Sequence, residues 1–468
     1  MALFMSLLDI SIVTVALPSI QAGIGATESD VQWIIAGYAL AFGVLQVAAG
    51  RAGDLFGRGA LFIAGVVVFT CASAWAGLAI DPLALNLARA VQGLGAGILV
   101  PQVVGMIQQY FRGAERGRAF GIFGGVVGVA VAIGPTLAGV LIHVFGVHNG
   151  WRAVFFVNLP VGLVAVILAL AWFPRPLLAR RRHHGDRASA SRDLDPVGTM
   201  LLGLAVLAIL LPFVESREDA LTWITLPVGL AALAAWVAWE RRYRARGRSP
   251  MVDLGIFRVP SFRNGTLLLG LYFFAMSSIW VILNLYLQQG LGFSALASGL
   301  LGLPSAIMTG LASLWAGHRV ARYGRRVVVA GIYVALSGLV AAVVVAYLQA
   351  TIGISAWWLA PALAVFGAGG GAVVSPNQTL TLEQVPLEYA GSSGGIMQTG
   401  QQVGASVGLA FVTAITFAVL AASDWPTAFI VGLGVIVVLM TGALAVAHVD
   451  VRQRRAARRH QAPSMPQV

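Results

Sequence analysis

The sequence contains no lysine, a single cysteine and few charged residues of either sign, which make up only 10% of its 468 residues. Soluble globular chains carry about 25% charged residues, so the composition argues strongly against a soluble enzyme or DNA-binding protein. Because Cys71 has no second cysteine to pair with, an internal disulfide is excluded. What is present instead is apolar: 58% of the residues are hydrophobic, and the mean hydropathy is +0.85. This composition indicates a chain whose solvent is a lipid bilayer.

Long apolar runs recur along the chain, and most of them contain no charge. About 20 such residues cross the bilayer core as a helix, and a helix satisfies its own backbone groups in lipid. A β-barrel would need short alternating segments instead. The sequence therefore predicts an all-α integral membrane fold with fourteen spans, at 1–22, 31–49, 60–79, 83–109, 118–143, 152–173, 196–214, 221–239, 265–288, 296–316, 327–348, 356–380, 391–420 and 426–447.

The positions of the arginines predict the orientation of these spans. All 30 basic residues are arginine, and all but Arg89, Arg152 and Arg217 follow an even-numbered span. By the positive-inside rule, both termini then lie in the cytoplasm, and the protein lies in the cell (inner) membrane. The net charge of +12 is thus explained by topology and by contact with anionic membrane lipids, so no nucleic-acid partner is expected.

Polar basic segments predict the division of the chain into units. The adjacent His183 and His184 in the first linker have no third ligand nearby, so neither a metal site nor a cofactor is expected. We expect the C-terminal tail to be disordered because of its composition. The expected units are a six-helix bundle (1–173), a cytoplasmic linker (174–195), two extra membrane helices (196–239), a second linker (240–264), a second six-helix bundle (265–448) and a basic cytoplasmic tail (449–468).

A short motif occurs twice, after the second span of each half. The first copy runs from Gly50 to Arg58 and the second from Gly317 to Arg326. Glycines allow tight turns, and Asp54 in the first copy is suited to cap a helix or pair with an arginine. An ordinary cytoplasmic turn is the alternative, but duplicated halves are typical of secondary transporters. The matching residues are Gly50, Gly57 and Arg58 in the first copy and Gly317, Gly324 and Arg325 in the second.

Two charged residues interrupt the apolar spans. Asp9 lies in the first span, and Arg89 lies in the fourth, three residues before Gln92 and on the same helix face. A charge in a spanning helix costs a few kcal/mol, so we expect Asp9 to face a cavity, where burial would make it a candidate reversible proton carrier. The alternatives are that Asp9 pairs structurally with a polar neighbour and that Arg89 extends to the membrane interface.

These and three further motifs resemble the fourteen-helix drug:proton antiporter branch of the major facilitator superfamily, and the resemblance covers nearly the whole chain. The repeated loop resembles the superfamily's gating motif, and Arg89 to Gly97 resembles its R-x-x-Q-G-x-G motif. The segment Gly124–Gly139, with Gly134, Pro135 and Gly139, resembles the antiporter motif, although simple helix packing is the alternative. The segment from Trp151 to Gly162 and the first-span motif from Leu8 to Pro18 are the branch-specific matches.

The resemblance implies proton-coupled multidrug efflux by alternating access, carried out by a monomer. The expected partners are a small-molecule substrate, protons and membrane lipids. Asp9 and Arg89 are then expected to couple protons, and Glu383 is either a gate partner or a solvated loop charge. Export of one endogenous metabolite or antibiotic is the alternative, and a nutrient uniporter or importer is less favoured. The expected substrate cavity contains Tyr38, Gln92, Trp280, Asn284, Gln398 and Gln402, although Trp280 is equally compatible with a core or lipid-facing position.

Overall fold

The computed structural model describes residues 1–146, 148–177, 195–214, 220–248 and 250–461. Its helices begin where the sequence provides start signals: Pro82 opens one directly after Asp81, whose carboxylate accepts from the backbone N–H of Ala84 at 2.8 Å. The helices are α1 (Ala2–Ile24), α2 (Glu28–Phe56), α3 (Arg58–Leu78), α4 (Pro82–Tyr110), α5 (Gly113–Phe145), α6 (Gly150–Phe156), α7 (Asn158–Trp172), α8 (Pro196–Val214), α9 (Thr225–Ala245), α10 (Pro260–Leu285), α11 (Ala295–Tyr323), α12 (Arg325–Ile352), α13 (Leu359–Thr381), α14 (Ala390–Ala422) and α15 (Trp425–Gln461).

The predicted all-α membrane fold is confirmed. Within the described residues, fourteen helical segments are long and apolar enough to cross a membrane, and each overlaps one predicted span. The sixth span consists of two helices, α6 and α7, which meet at Val157. Several helices extend one or two turns beyond the predicted boundaries because their polar ends remain helical outside the apolar core.

One expectation about the polar segments was wrong. The C-terminal tail is not disordered throughout, since α15 continues to Gln461, and its Asp450 is buried in an ion pair with Arg325. The second linker is largely ordered, because α9 runs to Ala245 and α10 begins at Pro260. Most of the first linker, including the two predicted non-ligating histidines, lies outside the described residues.

The two halves of the chain pack closely together at one end. We call this the arginine-rich end, because the turns at Gly57 and Gly324 lie there. In that half of the molecule, one apolar cluster combines Phe120 with Leu269 and Met397, which belong to different halves of the chain. At the opposite end, the described residues around Trp151 form a cluster from α1–α7 alone. A separate cluster is built from α10–α15 alone.

The two extra helices, α8 and α9, lie beside the seam between α2 and α14. An apolar cluster joins Val206 and Leu210 of α8 to Leu40 of α2 and Trp236 of α9. Gly43 lies where three helices meet, since a side chain there would contact both Leu210 and Gln402 of α14. The extra helices are therefore central in the sequence but peripheral in the fold.

Candidate functional site

Asp9 lies at the centre of a buried polar cluster in the first half of the chain. Its side chain has no exposed surface. Its carboxylate accepts three hydrogen bonds, from Arg89 Nη1 at 2.5 Å, Gln92 Nε2 at 2.9 Å and Asn158 Nδ2 at 2.8 Å. These donors come from α4 and from the start of α7, so one carboxylate ties three helices together.

A second layer of contacts holds the donors in position. Ser73 Oγ of α3 accepts from Gln92 at 3.2 Å and from Asn158 at 2.9 Å, and it donates to the Phe155 carbonyl at 2.9 Å. The Nε of Arg89 donates to the Ile34 carbonyl at 3.0 Å. Burying a polar or charged group costs free energy unless the group is hydrogen-bonded or paired. In this cluster both members of the ion pair have hydrogen-bond partners as well as an opposite charge.

The Arg89 guanidinium also stacks on an aromatic ring. Its central carbon lies 4.4 Å from the centre of the Tyr38 ring, a distance typical of a cation–π contact. Close approach of α2 and α4 makes this contact possible, because a side chain on Gly93 would overlap the Tyr38 backbone. The motif glycine therefore sets the separation at which the ring covers the charge.

The antiporter motif brings α5 against α1 beside Asp9. A side chain on Gly134 would overlap Ser11, and the Ser11 hydroxyl donates to the Ala130 carbonyl at 3.3 Å. Pro135 lies inside α5. A side chain on Gly139 would meet no other atom within 4 Å, so this glycine is not needed for close packing here. In this conformation the motif acts at Gly134 through close helix packing.

The structure changes the interpretation of several predicted residues. Asp9 does not face a cavity here, because Arg89, Gln92 and Asn158 take the place expected for water. Arg89 is 1% exposed and does not extend to the interface. Tyr38 and Gln92 are buried in the same cluster instead of lining an open cavity. Sequence reasoning missed Asn158, although it lies within the quoted branch-specific motif.

The other predicted cavity residues lie in the second half of the chain, apart from the Asp9 cluster. Trp280 is half-buried, packs against the core of that half and lies beside Gly302 of α11. Asn284 is exposed on α10, one turn further along. Gln398 and Gln402 are half-buried on α14. The structure thus places these four residues on helices that face the first half across the interface.

The first copy of the repeated motif closes the arginine-rich end. The Asp54 carboxylate accepts from the backbone N–H groups of Gly391 at 2.8 Å and Ser392 at 3.0 Å. These groups belong to the first turn of α14, so Asp54 caps that helix from the other half of the chain. Arg58 pairs with Asp54 at 2.6 Å and donates to the Leu387 carbonyl at 3.0 Å.

Glycines allow the two halves to touch at this end. A side chain on Gly50 would overlap the Gly391 carbonyl, and one on Gly117 would overlap the Gly317 carbonyl. Gly57 adopts a positive φ of 112°, a backbone conformation that favours glycine, where the chain turns from α2 into α3. Of the predicted gating glycines, Gly50 and Gly317 therefore lie directly at the interface between the halves.

The second copy of the motif is built differently from the first. Arg325 Nε pairs with Asp450 Oδ2 at 2.5 Å, and its Nη1 donates to Asn377. Both partners belong to the second half, so these contacts stabilise that bundle. Gly324 turns the chain with a φ of 55°. The two copies share a sequence pattern, but only the first carries an acid that reaches the other half.

An apolar cavity of about 800 Å³ lies between α5 and α11. Its lining is almost entirely aliphatic and includes Val129, Ala132, Ile307 and Leu311, with Phe4 of α1 at one side. Sequence reasoning did not find this cavity, because nothing in an apolar run shows which residues face a gap between helices. Its volume falls in the range of about 300–1,000 Å³ that is typical of small-molecule sites.

Comparison with known proteins supports the same architecture. The family model for the Major Facilitator Superfamily matches residues 1–409. The chain is 32% identical over 420 residues to the probable actinorhodin transporter of Streptomyces coelicolor, covering 89% of this chain and 71% of that protein. It is 30% identical over 428 residues to the multidrug resistance protein Stp of Mycobacterium tuberculosis, covering 91% and 76%.

A solved structure shows the same fold. The human organic anion transporter MFSD10 superposes with a TM-score of 0.62 at 15% identity, over 95% of this chain and 98% of that one. The family predicted from the motifs is therefore confirmed. This chain belongs to the major facilitator superfamily and is a multi-pass membrane transporter, not an enzyme.

Proposed function

We propose that this chain is a proton-coupled exporter of small hydrophobic or cationic compounds that works by alternating access. The observation that carries the proposal is the fully buried Asp9–Arg89 ion pair. A proton that binds Asp9 removes the partner of a guanidinium that is almost completely buried. Breaking a buried pair in this way costs about 3–5 kcal/mol.

That cost is large enough to move a conformational equilibrium. Shifting two states from 1:99 to 99:1 takes about 5.5 kcal/mol. Protonation of Asp9 therefore supplies most of the bias needed to favour a conformation in which Arg89 finds another partner. A proton gradient then drives the cycle in one direction, since protonation and release occur on opposite sides of the membrane.

The conformation observed here fits one stage of that cycle. With the arginine-rich end in the cytoplasm, as the positive-inside rule favours, the cytoplasmic side is closed by Asp54 and the first turn of α14. At the opposite end the two halves keep separate apolar cores. We therefore assign this structure to an outward-facing stage, with both termini in the cytoplasm of a cell whose inner membrane holds the protein.

The substrate class is inferred from two sources. The cavity between α5 and α11 is lined by apolar residues and suits a hydrophobic compound. Relatives at 30% identity or more include one named as a multidrug resistance protein. The alternative, export of one endogenous antibiotic or metabolite, is favoured by the relative named as an actinorhodin transporter.

The proposal is tested by transport in cells that lack their own efflux pumps. We expect cells that express the chain to export a fluorescent cationic dye, and a protonophore to abolish the export. Asp9→Asn should abolish coupled export, whereas Asp424→Asn, which changes an exposed helix cap at the start of α15, should not. Export that ignores the protonophore would refute proton coupling, and full coupled export by Asp9→Asn would refute the role of Asp9.

The same strain separates the two substrate hypotheses. A panel of unrelated apolar and cationic compounds is tested for increased resistance. Resistance to many of them supports multidrug export, whereas resistance to a single compound supports export of one dedicated substrate.

A further inference from the structure

A polar cavity of about 390 Å³ lies at the arginine-rich end, where the two halves of the chain meet. One wall is the first turn of α5, with Arg116, and the other is the turn that joins α11 to α12, with Arg322 and Arg326. Glu383 is the only acid among the described lining residues. A fourth arginine of the lining, Arg325, is already paired with Asp450. Three arginines therefore face one carboxylate, and the cavity carries excess positive charge.

The corresponding place in the first half has a different charge. There the motif lines a cavity of about 240 Å³ that contains Asp54 beside Arg58. In the repeat that aligns Gly50 with Gly317, Ala321 takes the place of Asp54, and Arg326 takes the place of Gly59. At these two positions, which line the cavity, the second copy has alanine where the first has an acid and arginine where the first has glycine.

A buried hydrogen-bond donor without a partner also lies at this cavity. Arg116 Nη1 donates to the Leu382 carbonyl at 3.2 Å, but its Nε is buried and has no hydrogen-bond partner. The helix α12 begins at the cavity with Gly324 as its N-cap, without a capping side chain and without an acid in its first turn. The first N–H groups of such a helix are oriented for an anion, and arginine binds phosphate oxygens with paired donors.

Topology alone does not explain this arrangement. The positive-inside rule places arginines on one side of the membrane, but it does not require arginines from α5 and from the α11–α12 turn to line one cavity. Nor does it require an alanine at position 321, where the first copy of the motif has an acid. A bound anion accounts for both features.

We propose that this cavity binds a phosphate group, supplied by the headgroup of an anionic phospholipid or by a free phosphate ion. Because Arg116 comes from the first half and Arg322 and Arg326 from the second, a bound phosphate links the halves. It therefore stabilises the closed arginine-rich end. The binding step stands independently of transport, and its effect on the transport cycle rests on the proposed function.

The full-length chain reconstituted in nanodiscs tests the proposal. In a Cys71→Ser background, spin labels at Glu115→Cys on α5 and His318→Cys on α11 report the separation of the two halves at this end. The probes are nanodiscs of phosphatidylcholine alone, phosphatidylcholine with phosphatidylglycerol, and phosphatidylcholine with inorganic phosphate, all at matched ionic strength. We expect at least one phosphate source to shift the distance distribution towards its short component and to raise the thermal midpoint.

Variants distinguish a site from general surface charge. Ala321→Asp restores the acid of the first copy, and Arg326→Gly restores its glycine. Each should raise about tenfold the concentration of lipid or phosphate at which the distance shift is half complete. A tenfold change corresponds to the loss of about one charge-assisted hydrogen bond. Arg319→Gln is the matched control, because this exposed arginine stacks on Trp315 and does not line the cavity.

Each outcome has a defined meaning. A shift with phosphatidylglycerol alone supports a lipid headgroup, a shift with inorganic phosphate alone supports a soluble anion, and a shift with both supports a general phosphate site. No shift with either source overturns the proposal, as does equal weakening by Arg319→Gln and Arg326→Gly. Because the measurement needs no transport, failure of proton-coupled export would leave it unaffected, and its failure would leave the export assays unaffected.

Discussion

Replacing Asp9 with asparagine separates the stability of the buried ion pair from its role in coupling. Asparagine has nearly the same volume but no charge, so Arg89 would remain 1% exposed without its counterion. Two unit charges about 4 Å apart interact by about 4 kcal/mol at an effective dielectric constant of ~20. Removing one partner of a buried pair is measured to cost about 3–5 kcal/mol. We expect Asp9→Asn to lower the free energy of unfolding by an amount in this range.

Unfolding in mixed micelles with increasing sodium dodecyl sulfate, followed by tryptophan fluorescence, measures the effect. Trp151, which is fully buried beside the Asp9 cluster, contributes to the signal. The matched control is Asp424→Asn, because asparagine caps a helix about as well as aspartate and should leave stability nearly unchanged. The double variant Asp9→Asn/Arg89→Gln should be more stable than Asp9→Asn alone, since it removes the uncompensated charge.

Two results would refute this reasoning. The first is that Asp9→Asn destabilises the protein no more than Asp424→Asn, which would mean that the pair contributes no net stability. Alternatively, the double variant would be as unstable as the sum of its single changes, which would mean that Asp9 and Arg89 are not energetically coupled.

Three further predictions concern the interface between the halves. Asp54→Asn removes the charge that caps α14. In a Cys71→Ser background, thiol labelling of Glu115→Cys at the arginine-rich end should therefore increase, and unchanged labelling would contradict the role of Asp54 in closing that end. Gly50→Val places a side chain against the Gly391 carbonyl, so the inserted and purified protein should lose transport, and normal transport would show that this contact is dispensable. Ala132→Phe places an aromatic ring in the apolar cavity and should raise the KM for a hydrophobic substrate about tenfold, which corresponds to a loss of about 1.4 kcal/mol of binding free energy, whereas Val131→Phe, which lies outside the cavity lining, should not. Equal KM values for the last two variants would exclude the cavity from substrate binding.

Part of the Asp9 cluster could be predicted from the sequence. Asp9 and Arg89 are conspicuous because charges are costly in spanning helices, and Gln92 follows Arg89 at a spacing that shares one helix face. Ser73 and Asn158 could not be identified in the same way, because uncharged polar residues are tolerated in many membrane positions. Their roles depend on α3 packing against α4 and on α7 packing against α1 and α3, which no local pattern specifies.

The two copies of the gating motif show the same limit from another side. The sequence shows the repeat and aligns Arg58 with Arg325 as matching positions of the two copies. Only the structure shows that Arg58 forms an ion pair with Asp54 at the interface, whereas Arg325 forms one with Asp450 on the last helix. The tail was predicted to be disordered from its composition, yet α15 continues to Gln461, and the pair formed by Asp450 anchors the beginning of this extension.

The sequence by itself determined that the chain lies in a lipid bilayer, how many spans it has, its expected orientation and its family. Each of these follows from local composition, from the cost of charge in lipid or from short motifs. The tertiary structure decided which charges meet, which end of the molecule is closed and where cavities remain. Asp9 and Arg89 lie 80 positions apart on α1 and α4, and Tyr38 of α2 covers Arg89 because Gly93 lets α2 and α4 approach closely. Pairing over such distances depends on the packing of whole helices, and a linear pattern does not contain that information.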